Sequence, residues 1–76
     1  MKKPHLVVYD YGMGGVWALV NAHSSAEITE RYPILLVVET RPAWMKKDDY
    51  RRIEATRSFD IDDPTPQWLV AAVSER

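Results

Sequence analysis

Apolar and aromatic residues flank a cluster of glycines near the start of the chain. All three glycines lie within residues 12–15, and strand-forming residues occupy positions 5–11 before them and 16–21 after them. Such runs on either side of a glycine cluster indicate a β-hairpin, because glycine accepts the positive φ that a tight turn requires. We therefore predict a hairpin whose turn lies at the glycines.

The register of this hairpin decides which side chains share a face. If the numbers of paired residues sum to 28, one face is large and amphipathic and carries His5, Val7, Tyr9, Tyr11, Trp17, Leu19, Asn21 and His23. The other face is small and apolar and carries Leu6, Val8, Asp10, Val16, Ala18, Val20 and Ala22. We prefer this register, in which a helix covers the small face. A sum of 27 instead moves Trp17 and Leu19 to the face of Leu6, because a slip of one residue turns over every side chain of a strand.

Capping residues predict the element that follows the hairpin. Ser24 and Glu27 have the spacing of a capping box, which predicts a helix over residues 25–32. Pro33 ends it, because the residue before a proline avoids the helical region. Residues 34–39 are almost entirely apolar, which predicts a short third strand buried on both faces.

The second half of the chain predicts two further helices and an extended segment. A helix is expected over residues 47–56, with acidic residues at its positive N-terminus. Residues 58–63 alternate apolar and acidic side chains, which predicts an extended segment or a short edge strand. Residues 67–73 are expected to form a helix, with Thr65 as N-cap and Pro66 at its first position. A strand is the alternative there, because so short an apolar run does not settle the period.

The resulting fold class is α+β, with the element order β-β-α-β-α-(β)-α in a single domain over residues 1–76. The third strand is expected beside the first, which gives a mainly antiparallel sheet of spatial order 2-1-3 with helices on at least one face. Both faces of this sheet are apolar. A second cover is therefore needed, either the C-terminal segment or another molecule.

Composition and charge exclude several classes of function. The chain has no cysteine, which excludes disulfides, thiolate metal sites and thiol catalysis and is consistent with the cytoplasmic location that we expect. Its formal net charge is −1, so no field over the whole surface attracts nucleic acid or an anionic membrane. The apolar runs are far shorter than the roughly 20 residues that span a bilayer. Asp10 and the glycines interrupt the run after the N-terminal lysines, so we do not expect a signal peptide.

Histidine and aspartate residues are the candidates for metal or acid–base chemistry. In the preferred register His5 and His23 face each other across the hairpin, and Asp60, Asp62 and Asp63 form an acidic cluster whose carboxylates suit a hard cation. A small metal-dependent or hydrolytic enzyme is therefore an alternative function. The simpler interpretation is that these residues cap helices or pair with nearby arginines, and we predict neither a cofactor nor a committed metal site.

Aromatic residues provide the leading hypothesis. Tyr9, Tyr11, Trp17 and Trp44 are candidates for an interaction surface, because tyrosine and tryptophan dominate the energetics of protein interfaces. With no catalytic constellation in the sequence, we expect a non-enzymatic interaction or accessory module that binds a protein partner or forms a homodimer. A nucleic-acid binder that uses the basic helix 46–57 is a further alternative, because the region 41–57 is basic and Tyr50 or Trp44 could stack on a base.

Several strings along the chain resemble those of small uncharacterised bacterial α+β domain proteins of similar length. These strings are residues 9–17 (YDYGMGGVW), the end of the serine-capped helix at 31–33 (RYP), residues 41–45 (RPAWM) and residues 59–63 (FDIDD). The resemblance covers most of the chain. It implies a stand-alone bacterial domain and no particular activity, cofactor or partner.

Overall fold

A four-stranded mixed sheet and three helices make up the part of the chain that the computed structural model describes, residues 1–10, 12 and 14–74. The elements are β1 (Lys3–Asp10), β2 (Gly15–Ala22), α1 (Ser25–Arg31), β3 (Leu36–Val38), α2 (Lys47–Thr56), β4 (Ser58–Asp60) and α3 (Gln67–Ser74). The strands lie in the order β3-β1-β2-β4. The α+β class is thus confirmed. This sheet contains the predicted order 2-1-3, but the prediction did not place the fourth strand in it.

The pairing of β4 adds a parallel neighbour to the mainly antiparallel sheet that was expected. β1 is antiparallel to both β2 and β3, whereas β4 runs parallel to β2. Backbone hydrogen bonds from Leu19 N to Arg57 O and from Ile61 N to Asn21 O, both 2.9 Å long, extend this pairing beyond the ends of the short strand. Because β3 and β4 occupy opposite edges and both run parallel to β2, the chain crosses the sheet twice, through α1 and then through α2. The two connecting helices pack on opposite faces.

The hairpin register also differs from the preferred one. The numbers of paired residues sum to 25, so that Val8 lies opposite Trp17. The turn is centred closer to β1 than predicted, because Gly12 takes the positive φ, 91°, and donates its N–H to the Asp10 carboxylate at 2.8 Å. Since 25 and 28 differ by an odd number, every side chain of β2 lies on the other face from the one predicted, relative to β1.

Each face of the sheet has its own apolar core. The larger core lies under α1 and α3, and its buried residues are Val7, Tyr9, Ala18, Val20, Ala22, Ile28, Tyr32, Leu35, Phe59, Ile61 and Leu69. The smaller core lies under α2 and consists of Leu6, Leu19, Met45 and Ile53. The two cores therefore group the residues of the hairpin differently from the two faces that were predicted.

The capping of α1 is confirmed with one change of partner. The Ser24 hydroxyl accepts a hydrogen bond from Glu27 N at 3.3 Å, as the capping pattern predicts. The Glu27 carboxylate, however, accepts from the backbone N–H of His23 at 2.8 Å rather than from that of Ser24. This N–H holds the pKa of Glu27 below its ordinary value. The predicted bounds of α2 are also confirmed, whereas the extended segment predicted over residues 58–63 is a strand only over residues 58–60 and turns at residues 61–63.

The third strand is shorter and more exposed than predicted. It comprises three residues, and Leu36 at its start is 58% exposed, so the prediction of burial on both faces is wrong. The reason is position, because β3 is an edge strand and α2 lies over only part of the sheet. An apolar run in the sequence does not reveal which strand of a sheet will be at the edge.

The C-terminal segment is a helix, which settles the choice between helix and strand. The first carbonyl that accepts a helical hydrogen bond belongs to Pro66, which bonds Val70 N at 3.1 Å. Thr65 was predicted as N-cap, but its hydroxyl instead forms a hydrogen bond of 3.0 Å with the Tyr32 hydroxyl and so links the start of α3 to the end of α1. Within the described ranges, no helix has the length and apolar character needed to cross a bilayer.

Candidate functional site

An exposed apolar row crosses the sheet at the end that carries the hairpin turn. In the strand registers Leu36 lies opposite Val8, and Val8 lies opposite Trp17, so the three side chains share one face. This is the face on which α2 packs. Val8 and Trp17 are half-buried and Leu36 is mostly exposed, which shows that α2 does not cover this row.

The position of α2 explains why the row of Leu36, Val8 and Trp17 remains open. α2 and the residue before it, Met45, pack on Leu6 and Leu19, which are opposite each other in the next row along the strands. Met45 is 2% exposed and Ile53 is 9% exposed. α2 packs mainly on β2 and β4, so it leaves the side of this face that β3 and β1 form largely uncovered.

Trp44 lies beside the open row and is the most exposed tryptophan of the described chain. Its ring meets the Trp17 ring edge-to-face, with the centroids 5.3 Å apart and the planes at 75°. The loop around it is anchored, because Met45 is buried and its N–H donates to Pro42 O at 3.0 Å. Trp44 itself remains 59% exposed. We call Val8, Trp17, Leu36 and Trp44 together the tryptophan patch.

The glycines of the turn leave a shallow hollow next to the tryptophan patch. The hollow measures about 370 Å³ and is lined by Val8, Trp17, the acidic residue Asp10 and the turn residues Gly12, Gly14 and Gly15. A Cβ on Gly15 would come within 2.7 Å of the Val8 side chain, so only glycine fits where β2 passes Val8. The apolar patch therefore continues onto the backbone of Gly12, Gly14 and Gly15, which have no side chains.

The structure brings together two of the four aromatic residues predicted for the interaction surface. Trp17 and Trp44 are in contact. Tyr9 is not part of that surface, because it lies opposite Val16 on the α1 face and is 3% exposed in the larger core. Its assignment depended on the register of 28 and is corrected with it. Tyr11 lies outside the residues that the structure describes.

The two histidines do not form the opposed pair that the preferred register predicted. His5 is opposite Val20, and its Nε2 lies 3.2 Å from the Ala22 carbonyl oxygen. His23 follows β2, and its Nδ1 lies 3.3 Å from a carboxylate oxygen of Glu27. Each histidine is thus held by a local contact at the end of the hairpin that is remote from the turn.

Two of the acidic residues form ion pairs with a lysine of the same chain. The Lys2 ammonium lies 2.6 Å from Asp60 Oδ1 and also contacts the Asp62 carboxylate. Asp60 Oδ1 in addition accepts the Asp62 N–H at 2.9 Å, while Asp63 Oδ2 accepts the Asp60 N–H at 3.3 Å. Lys2 is the main cause that lowers the pKa of Asp60, and the two carboxylates raise the pKa of Lys2.

These hydrogen bonds and ion pairs show that the acidic cluster belongs to the turn at the end of β4, where Lys2 balances part of its charge. In the described part of the chain, no group of three or more histidine, aspartate or glutamate residues is placed to hold a metal ion. The basic region is likewise used in part for packing, since Tyr50 lies against the smaller core and Trp44 against Trp17.

Two members of the tryptophan patch, Val8 and Leu36, were not predicted from the sequence. Val8 was assigned to the face that a helix should cover, and Leu36 to a strand buried on both faces. A register of 27, the alternative, has the same parity as the observed 25 and would have placed Val8 and Trp17 on one face. No signal in the sequence showed that Leu36 would join them, because this follows from the pairing of β3 with β1.

Comparison with known proteins assigns no family to this fold and patch. The chain matches no protein-family model, and no curated protein or solved structure is significantly similar to it. The support for a function of this small α+β domain is therefore its own geometry.

Proposed function

We propose that this protein is a non-enzymatic interaction module whose tryptophan patch is buried against a protein partner, in the first place a second copy of the same chain. The observation that carries the proposal is the open row Leu36–Val8–Trp17, which lies directly beside the row that α2 covers. Exposed apolar surface of this kind is costly in water and marks interaction sites.

Three features favour a protein rather than a small solute as the occupant. The hollow beside Trp17 is shallow and continuous with the patch, so it suits a protruding side chain on an otherwise flat surface. Trp44 stands on an anchored loop, which reduces the entropy lost when it is immobilised in an interface. Tryptophan is also the residue type most enriched among the side chains that dominate binding energy.

The favoured occupant is a second copy for two reasons. First, β3 is an edge strand with a free side, and Leu36 of the patch belongs to it, so patch and strand edge form one continuous surface that a twofold axis could bury. Second, the net charge of −1 opposes association of two copies only weakly. The absence of cysteine suits the cytoplasmic setting that we also propose for this module.

The test is the solution mass of the untagged protein by light scattering over a dilution series, together with two patch variants and one matched control variant. Leu36→Ser and Trp44→Ser each remove an exposed apolar side chain from the patch, and Val70→Ser removes one from α3, where Val70 is 42% exposed. We expect a dimer whose dissociation constant rises at least about tenfold in either patch variant, since a central tryptophan commonly contributes 2 kcal/mol or more. The Val70→Ser variant should remain dimeric.

A monomer at every concentration would refute self-association. In that case the same variants decide the wider proposal in affinity capture from the source cell extract. Loss of a captured protein with Trp44→Ser, but not with Val70→Ser, would retain the interaction module with a different partner. Equal capture by all variants would refute the patch as an interaction surface.

A further inference from the structure

A second candidate site lies at the other end of α2, away from the tryptophan patch. It is a cleft of about 470 Å³ between the end of α2 and the beginning of α3, lined by Arg52, Ile53, Thr56, Arg57 and Trp68. Its volume lies within the range of pockets that hold small organic ligands, about 300–1,000 Å³. The proposed function does not use any of these residues.

The floor of the cleft is apolar and firmly held. Ile53 is buried in the core under α2, and Trp68 is half-buried. The Trp68 ring packs edge-to-face on Phe59, with the centroids 6.0 Å apart, and Phe59 is itself buried and in edge-to-face contact with Tyr32. A chain of aromatic contacts therefore fixes the ring that a ligand would meet.

The rim of the cleft is positively charged and lacks a counter-charge. Arg52 and Arg57 are both exposed, and no acidic side chain lines the cleft. Among the described residues, the ion pairs involve Lys2 and His23, so neither arginine forms one. The Thr56 hydroxyl is engaged with the Arg52 carbonyl oxygen at 2.6 Å, which ties the rim to the last turn of α2.

We propose that this cleft binds an organic anion in which a carboxylate or phosphate group is attached to a flat apolar ring. Arg52 and Arg57 pair with the anionic group, because guanidinium groups offer forked donors that match carboxylate and phosphate oxygens. The ring lies on Trp68 and Ile53, where it replaces water on an apolar surface. An inorganic anion would leave the floor unused, and a neutral ring would leave both cations unpaired.

The first experiment is a titration of the ¹⁵N-labelled protein with four probes, followed by NMR at the Trp68 indole N–H and the Nε–H groups of Arg52 and Arg57. The probes are 1-naphthoate, adenosine 5′-monophosphate, inorganic phosphate and 1-naphthylmethanol. We expect at least one of the two organic anions to shift all three signals saturably. Phosphate alone and the neutral alcohol should bind at least about tenfold more weakly, the loss that follows removal of a charged or an apolar contact of ordinary size.

The variants separate this site from general attraction to a basic helix. Arg52→Gln and Arg57→Gln should each weaken binding of the preferred organic anion about tenfold. Arg51→Gln is the matched control, because it removes the same charge from the same helix at an exposed residue that does not line the cleft. We expect its affinity to stay within about twofold of the wild type, because an exposed charge that does not contact the bound anion contributes little.

Two results would overturn the proposal. One is the absence of saturable shifts at the Trp68 and arginine signals with either organic anion up to millimolar concentration. The other is a loss of affinity in Arg51→Gln that equals the loss in Arg57→Gln, which would mean that only net charge matters. The solution mass of these variants is expected to match the wild type, so failure here is distinguishable from failure of the tryptophan patch.

Discussion

The two faces of the sheet differ in how completely the chain covers them. On the α1 face, two helices and the segments after β4 and α1 bury eleven residues in one core. On the α2 face, one helix and its preceding loop bury four. In the described part of the chain, the three helices thus close one face of the four-stranded sheet and only part of the other. The open remainder is where we place an interaction.

The largest expected difference between the faces is in stability. Ile28→Ala deletes a side chain with 0% exposure from the α1 face and should lower the free energy of unfolding by about 2–5 kcal/mol. Leu36→Ala removes a mostly exposed side chain from the α2 face and should cost less than about 1 kcal/mol in the monomer. Urea unfolding at a concentration below any self-association provides both numbers. Similar losses in the two variants would mean that the α2 face is closed in solution.

A smaller effect concerns the close contact that shapes the open face. Gly15→Ala places a Cβ where the Val8 methyl group lies, 2.7 Å away, and should destabilise the fold by about 1–3 kcal/mol through overpacking. Val8→Ala makes room, so the double variant should be more stable than the sum of the two single changes predicts. The check is a double-mutant cycle by urea unfolding. Strict additivity would contradict the idea that this contact holds the floor of the hollow.

The smallest expected effect lies at the opposite end of the α2 face, where Asp60 shares its face with Asn21 and pairs with Lys2. The pKa of Asp60 is lowered in the folded state, so this pair stabilises the fold above the ordinary pKa of aspartate. Its contribution is lost as the pH falls through the lowered value. The pKa of Lys2 is raised, so the contribution is also lost in strongly alkaline solution, above the ordinary pKa of lysine.

The measurement for this ion pair is the melting temperature of the wild type and of Lys2→Met at neutral pH and near pH ~2, below the ordinary aspartate pKa of about 3.9. We expect a modest difference at neutral pH that disappears in acid. Lys3→Met is the control, because it removes an equivalent charge from the adjacent, exposed residue, and its melting temperature should stay close to that of the wild type at both pH values. A Lys2→Met difference that persists in acid would show that packing, and not charge, holds this end of the sheet.

Much of the local structure was predictable because its causes are local. The spacing of Ser24 and Glu27 predicted the start of α1, and the glycines predicted a turn with a positive φ, which Gly12 has. The bounds of α2 also agree with the prediction. For the candidate site, the sequence indicated Trp17 and Trp44 as residue types suited to binding. It misplaced Tyr9, because a face of a strand is assigned only when the register is known.

What the amino-acid sequence determined by itself is the list of elements, because caps, turn residues and apolar periods act over a few neighbouring positions. Only the tertiary structure decided which elements pair or pack with one another. The register of the hairpin, the parallel pairing of β4 with β2 and the placing of β3 at an edge all join residues far apart in the chain. Those contacts depend on how three helices share two faces of one sheet. They leave Leu36 and Trp44 exposed beside Trp17.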